Sequence, residues 1–240
     1  MTYKERLDKV LSNNGYGTRS QVKKYIKKGL VQVNNIITKD PSYLVSLQDH
    51  LTLNEKDIEQ KENYYFLLNK PTGFICATED TKEKTVLELL KGRHKNLKIF
   101  PVGRLDKNTE GLLILTTDGK LAHSLLSPKK NVPKVYYVEV QGLVNEEDVY
   151  EFQRGIILED GYVCKPANLK ILSTSEISKV EVTITEGKFH QIKRMFLARK
   201  KKVIYLKRIQ FGNLFLDETL AVGNYRELTQ KEIDLLLKLA

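Results

Sequence analysis

The sequence predicts an α+β protein in two parts, residues 1–58 and 59–240. Three observations carry this. Two stretches of helical periodicity and a tight hairpin occupy the first part. A charged stretch nearly free of core-forming residues, Glu55–Asn63, follows it. Beyond that, apolar strands with a period of two alternate with capped helices.

Composition narrows the function before any motif is read. Of 240 residues, 41% are hydrophobic and 29% charged, which is enough apolar material for a core. The formal net charge of +10 makes a polyanion the natural partner, and nucleic acid is the commonest one. No apolar run approaches the roughly 18 residues that a membrane-spanning helix needs. The first residues, Met1–Leu11, are charged and lack the apolar centre of a signal peptide. Cys76 and Cys164 have no partner spacing for metal or redox chemistry, and the four histidines are scattered. The expectation is reduced cysteines in a cytoplasmic protein that needs no metal and no cofactor.

In the first part, Leu7, Val10 and Leu11 share one face of a helix over Glu5–Leu11, which Gly15-Tyr16-Gly17 breaks. Thr18-Arg19-Ser20-Gln21 reads as a capping box. The helix it opens has an apolar face of Val22, Tyr25 and Ile26, and Gly29 closes it. Its remaining positions are Arg19, Lys23, Lys24, Lys27 and Lys28, with no acid among them. A solvated face normally interleaves both signs, so a single-sign stripe reads as an electrostatic footprint for phosphates. Leu30–Val33, Asn34-Asn35 and Ile36-Ile37 then form a hairpin, since Asn tolerates positive φ. Two helices followed by GLVQVNN resemble the S4 RNA-binding domain, over roughly residues 3–53. Glu55–Asn63 reads as the linker.

In the second part, Tyr64–Leu68 is an apolar strand that ends at a turn, Asn69–Gly73. Thr85-Val86-Leu87-Glu88 reads as a capping box for a helix through Leu90. Leu112–Leu115, bounded by Gly111 and Asp118-Gly119, suits an interior strand, and Leu121, Leu125 and Leu126 a helix after it. Lys134–Gln141 alternates, with Tyr136, Val138 and Val140 on one face, where Tyr136 reads as a core tyrosine. Asn145 caps a helix whose core side is Val149 and Phe152. A strand with Val180, Val182 and Ile184 inward runs through Gly187 into a helix burying Ile192, Met195 and Phe196. Lys193 sits on the shoulder of that face, where a lysine can snorkel or reach a buried neighbour. Thr229 caps a last helix with Ile233, Leu236 and Leu237 inward.

The loop before the interior strand, Gly103–Thr109, carries one carboxylate, Asp106, between Arg104 and Lys107. On chemistry alone this suits a solvated turn or a cap as well as a catalyst. The longer string Gly-Arg-Leu-Asp-x-x-Thr-x-Gly-Leu-Leu, however, resembles the catalytic motif of pseudouridine synthases, especially the RsuA-type ribosomal RNA enzymes. Lys134-x-Tyr136 resembles that family's second motif, and Gly187-Lys188-x-His190-Gln191-Ile192-Lys193-Arg194-Met195-Phe196 its third. The three occur in the family's order, and with the S4-like part the resemblance covers nearly the whole chain.

The resemblance implies a catalytic domain built on a mostly antiparallel mixed sheet with flanking helices. It implies isomerisation of one uridine in folded RNA to pseudouridine, with Asp106 as nucleophile, Tyr136 packed against the flipped base and Lys193 paired with Asp106. An opposite charge beside a carboxylate in a pocket favours its ionised form. Arg104 is a candidate for the phosphate near the flipped nucleotide. Lys188, His190, Gln191 and Arg194, within a stretch of nine cations and no acid from Lys188 to Arg208, are candidates for further RNA contacts.

EGKFHQIKRMF and LDETLAVGNYRELTQKEI look like the branch that modifies 16S rRNA. The sister enzymes of 23S rRNA tend to carry Arg-Asn-Arg-Glu-Val in place of Phe-His-Gln-Ile-Lys. The expected partner is therefore 16S rRNA or a small-subunit assembly intermediate, taken by a monomer with no membrane involved. A 23S rRNA enzyme is the alternative within the family. A non-catalytic rRNA-binding or assembly protein would share the charge and the S4-like part, but has no use for a carboxylate in a basic pocket.

Overall fold

The computed structural model describes residues 4–240. The chain divides into two compact units, one formed by residues up to 64 together with 87–100, the other by 65–86 and 101–240.

In the first unit, β1 (Glu5–Arg6) leads into α1 (Leu7–Asn13), and α2 (Arg19–Lys27) follows. The capping box closes as expected: Gln21 N–H donates to Thr18 Oγ1 at 3.3 Å, and Thr18 N–H to Gln21 Oε1 at 2.8 Å. The strands are β2 (Val31–Val33), β3 (Ile36–Ile37), β4 (Leu44–Val45), β5 (Leu51–Leu53) and β6 (Lys56–Asp57). They form a sheet in the order β3-β2-β5-β6 and a separate β1-β4 pair. Asn34 and Asn35, with φ of 51° and 65°, make the hairpin turn. The core is Leu7, Val10, Leu11, Val22, Ile26 and Val31 with the apolar side of the strands.

The expected linker is more ordered than its composition suggests. Asn54 and Glu55 both take positive φ, 51° and 63°, and turn Lys56–Asp57 back onto β5, while Ile58 enters the core. A glutamate in that conformation gives little signal in sequence. The expected helix from Thr85 is instead a 3₁₀ turn, Val86–Leu89, followed by a second, Gly92–Asn96, which Gly92 opens at φ 55°. Arg93 ties residues 87–100 into the first unit. Its guanidinium pairs with Glu59, donates to Tyr64 Oη at 3.1 Å and lies over the rings of Tyr16 and Tyr64.

The second unit holds β7 (Tyr65–Lys70), β9 (Glu110–Thr116), α3 (Gly119–Leu126), β10 (Lys134–Gln141) and α4 (Glu146–Arg154). After these come β11 (Asn168–Ser173), β12 (Ile177–Ile184), α5 (Gln191–Ala198) and β13 (Lys202–Phe211). The chain ends with β14 (Leu214–Phe215), β15 (Tyr225–Glu227) and α6 (Gln230–Leu237); the short strand β8 (Phe100–Pro101) lies where residues 87–100 give way to 101–240. The main sheet runs β11-β12-β10-β13-β9-β7-β15, and β14 joins β13. All of these pairs are antiparallel except β9 with β13, so the sheet is mixed and mostly antiparallel, with flanking helices.

That parallel pair sets the sheet's centre. Gly111 lies against Arg208 so closely that a Cβ would fall 2.2 Å from the Arg208 carbonyl oxygen, and its φ is 101°. Only glycine fits there. The alternations hold: Tyr136, Val138, Val140, Val180, Val182 and Ile184 are all buried, as are Ile192, Met195 and Phe196 on α5. Two expectations fail. Leu126 and Leu237, read as core, are 44% and 51% exposed because each falls in the last turn of its helix, past the packed face. On α4 the fully buried partners are Asp148 and Phe152, while Val149 is half-buried.

Candidate active site

The loop Gly103–Thr109 is fixed before its functional side chains are considered. Leu105 is buried, and its N–H donates to Cys76 Sγ at 3.3 Å. Thr109 N–H closes a turn onto the Asp106 carbonyl at 3.0 Å, and Gly73 N–H donates to the Lys107 carbonyl at 2.9 Å. Beneath the loop lies Lys70, the last residue of β7, with its side chain fully buried. Its Nζ donates to the carbonyls of Pro71 (3.0 Å), Asp106 (3.1 Å), Lys107 (3.3 Å) and Thr109 (2.9 Å). Burial lowers the Lys70 pKa, against the opposing influence of Cys76, Asp106 and Glu110. A single ammonium thus gathers the backbone of Asp106 and of the residues that follow it.

The Asp106 side chain is left partly exposed at the mouth of a cleft. From α5, Lys193 Nζ comes within 3.1 Å of Asp106 Oδ2, and His190 Nε2 lies 3.8 Å from Oδ1. Asp106 and Lys193 are only 27% and 29% exposed, so water weakens the pairing less than at an open surface. His190 is the residue before α5 and takes a left-handed conformation, φ 50°, unusual for a side chain of its size. Its ring stacks on Phe189, centroids 3.8 Å apart.

A cavity of about 70 Å³ lies in front of the carboxylate, lined by Asp106, Thr109, Tyr136, Ile184, His190 and Leu206 among others. Tyr136 projects from β10 and is 7% exposed, so it lies in the core and also forms cleft wall. The Thr109 hydroxyl is buried in that wall without a hydrogen-bond partner. A second cavity of about 720 Å³ adjoins the first, and Arg104, Tyr136, Gly187 and Lys188 line both.

The fold therefore brings Asp106, Tyr136, Lys193, Arg104, Lys188 and His190 to one place. Two other expected RNA contacts are engaged by protein partners, although Gln191 also lines the small cavity. Gln191 is buried, donates to Glu186 Oε1 at 2.7 Å and accepts from Lys188 N–H at 2.9 Å, so its amide closes the loop before α5. Arg194 is held by Glu159 and Asp160, each at 2.6 Å, which leaves it a structural tie between α5 and the 159–160 turn. Within the basic stretch, Arg199 and Lys201 both reach the buried Asp148, at 3.0 and 2.8 Å, and Arg208 is buried. Arg19, Lys23, Lys24, Lys27 and Lys28 are all exposed on α2 of the first unit. Arg19 and Lys23 also lie 3.7 and 3.8 Å from the buried Asp8, which also pairs with Arg6.

Comparison with known proteins shows the family. Residues 64–198 match the family model of RNA pseudouridylate synthase, and residues 5–51 that of the S4 domain. The chain is 44% identical to an uncharacterised RNA pseudouridine synthase, YtzG, of Bacillus subtilis, covering 96% of this chain and 98% of that one. It is 39% identical to ribosomal large subunit pseudouridine synthase B of the same organism, over 98% of this chain and 97% of that one. It is 38% identical to ribosomal small subunit pseudouridine synthase A of Haemophilus influenzae, over 97% of this chain and all (100%) of that one. A crystal structure of a pseudouridylate synthase superposes with a TM-score of 0.69 at 38% identity, covering 97% of this chain and 99% of that one.

Proposed function

The chain belongs to the RNA pseudouridine synthase family, with an S4 domain at its N-terminal side, and on that premise we propose the roles of its cleft residues. Asp106 is the nucleophile, Tyr136 the aromatic wall against the flipped base, and Lys193 the cation that positions the carboxylate. The observation that carries this is the 3.1 Å contact of Lys193 with Asp106 at a cleft walled by Tyr136.

The reaction is an isomerisation, so atoms balance within the substrate. The N1–C1′ bond of uridine breaks, the base turns, and a C5–C1′ bond forms, with a proton lost from C5 and one gained at N1. Nothing is oxidised or imported. A uridine in folded RNA must first leave its stack, which costs a few kcal/mol and is offset by the aromatic and polar walls of a closed pocket. The small cleft suits a base held edge-on to a carboxylate, with Arg104 and Lys188 at its rim for the backbone. Cations on α2 of the S4 domain supply a further, sequence-independent hold on RNA.

The target is one uridine of 16S rRNA. Relatives acting on either ribosomal subunit are equally similar in identity, so the support is local: Phe189-His190-Gln191-Ile192-Lys193 follows the small-subunit pattern. A pseudouridine map of unmodified 16S and 23S rRNA, treated with wild type and with Asp106→Ala, tests both statements. One new site in 16S rRNA with wild type and none with the variant is the expected result. A site in 23S rRNA overturns the target and keeps the chemistry. Activity surviving in Asp106→Ala overturns the nucleophile.

A further inference from the structure

The large cavity beside the cleft contains two cations that the chemistry at Asp106 does not use. Arg208 on β13 is 1% exposed, and its guanidinium makes a single hydrogen bond, from Nε to the Leu112 carbonyl at 2.7 Å. Its Nη2 is buried without a partner. Lys134 on β10 is half-buried and donates only to the Val132 carbonyl, at 2.9 Å. Tyr136 pairs across the strands with Arg208, and Lys134 with Phe211. Both cations lie over the one Phe211 ring, 5.3 and 5.6 Å from its centre.

No carboxylate comes within ion-pair distance of either, among the described residues. The acid that also lines the cavity, Glu186, is already held by Tyr162 Oη at 2.7 Å, Lys165 N–H at 2.9 Å and Gln191 Nε2 at 2.7 Å. Two like charges kept together out of water are costly unless something pairs them. The cavity's roughly 720 Å³ falls in the range of sites that take one small ligand. It shares Arg104, Tyr136, Gly187 and Lys188 as lining with the Asp106 cleft.

We propose that this cavity is a phosphate subsite, in which Arg208 and Lys134 take a backbone phosphate of the RNA strand beside the flipped uridine. The inference rests on the reading of the Asp106 cleft as the base site, because a strand whose base enters that cleft carries its adjoining phosphate past Arg104 toward the cavity. Arg208 supplies a fixed guanidinium for an anionic oxygen, and Lys134 a mobile charge at the cavity wall. The subsite explains why charge is retained where packing alone calls for an apolar side chain. The downward displacement of the Lys134 pKa, caused by burial and then by Arg208, fits a cation waiting for an anion.

Lys134→Gln and Lys134→Arg test this without disturbing the fully buried Arg208. Affinity of each full-length variant for unmodified 16S and 23S rRNA transcripts is measured across a series of KCl concentrations, with thermal unfolding as a check on folding. Loss of one phosphate contact lowers the slope of log affinity against log salt by about 0.7–0.9. It weakens binding about tenfold at fixed salt. Lys134→Gln is expected to show both changes, and Lys134→Arg neither. A Lys134→Gln protein with the wild-type slope and affinity within about twofold overturns the proposal. So does one in which only competition by uridine 5′-monophosphate or inorganic phosphate is lost, since that marks a site for free phosphates. The measurement needs no turnover, so failure of the pseudouridine map strikes the catalytic reading and leaves this one to its own slope.

Discussion

Lys193 Nζ and Asp106 Oδ2 stand 3.1 Å apart although 87 residues separate them in the chain. The lysine rides on α5 and the carboxylate on a loop clamped from below, so the pair is set by two rigid supports. Removing the charge without removing the bulk isolates its contribution. Lys193→Met is expected to reduce kcat by about 10²–10³ with little change in RNA affinity, and Lys193→Arg to keep part of the rate. Single-turnover rates with filter-binding affinities separate the two effects. A Lys193→Met enzyme with the wild-type rate removes the pairing from the mechanism.

Lys70 acts on the same carboxylate through the backbone. Lys70→Met keeps an unbranched side chain but withdraws the donor from four carbonyls at once. About 1–3 kcal/mol of stability is expected to go, with faster amide exchange confined to the Asp106 loop. Activity falls further than stability, because an ångström of drift at Asp106 is felt in the rate. Urea unfolding and hydrogen exchange on the variant check this, and an unchanged loop exchange rate contradicts it.

Asp148 makes an acid-limb prediction. Burial pushes its pKa up, but hydrogen bonds from Lys201, Arg199 and the Asn145 backbone outweigh burial and hold it below the ordinary 3.8. Above 3.8 the carboxylate therefore stabilises the fold, and this stabilisation disappears as pH falls through its lowered folded-state pKa. Asp148→Asn is expected to lose about 2–4 kcal/mol near neutral pH, leaving Arg199 and Lys201 without their common acceptor. Its stability should then vary less than wild type below pH 4 in thermal melts. Parallel curves for the two proteins count against the assignment.

Lys134 predicts the opposite limb. Burial, Arg208 from β13 and Lys165 lower its pKa and Glu186 raises it, leaving it at about 8 against an ordinary 10.5. Between those values the folded chain binds fewer protons than the unfolded one, so this group makes stability rise with pH. The rise from about pH 8 to 10.5 is expected in wild type and absent from Lys134→Gln. RNA affinity should fall as pH passes about 8 in wild type and stay flatter in the variant.

Much of this was visible in the sequence, and the reasons it stopped are specific. Period-two alternation placed Tyr136 on the buried face of β10, and the caps at Thr18, Asn145 and Thr229 marked α2, α4 and α6, while the capping box read at Thr85 opened only a 3₁₀ turn. Asp106 and Lys193 came from motifs, since no spacing links a loop and a helix so far apart in the chain. Lys70 could not be found that way: its partners are backbone carbonyls, which every residue carries. Arg208 was hidden inside a run of cations, where nothing local distinguishes the buried one from its exposed neighbours. Gln191 and Arg194 also have protein partners that a helix-face reading does not find, Glu186 for the first and Glu159 and Asp160 for the second. The linker reading failed at Glu55, whose positive φ folds a charged segment back into a sheet.

Arg93 gives the molecule a property that neither part has alone. The chain leaves its first unit after Tyr64, re-enters at Leu87 and leaves again after Phe100. A fragment cut at residue 64 lacks the guanidinium that joins Glu59 to Tyr64, and Asn96, which donates to the Gly15 carbonyl at 3.0 Å, goes with it. The RNA-binding unit is thus not a cassette to be moved between enzymes by a single splice. Gene fusion, limited proteolysis and domain swaps all meet a unit whose recipe is written in two places.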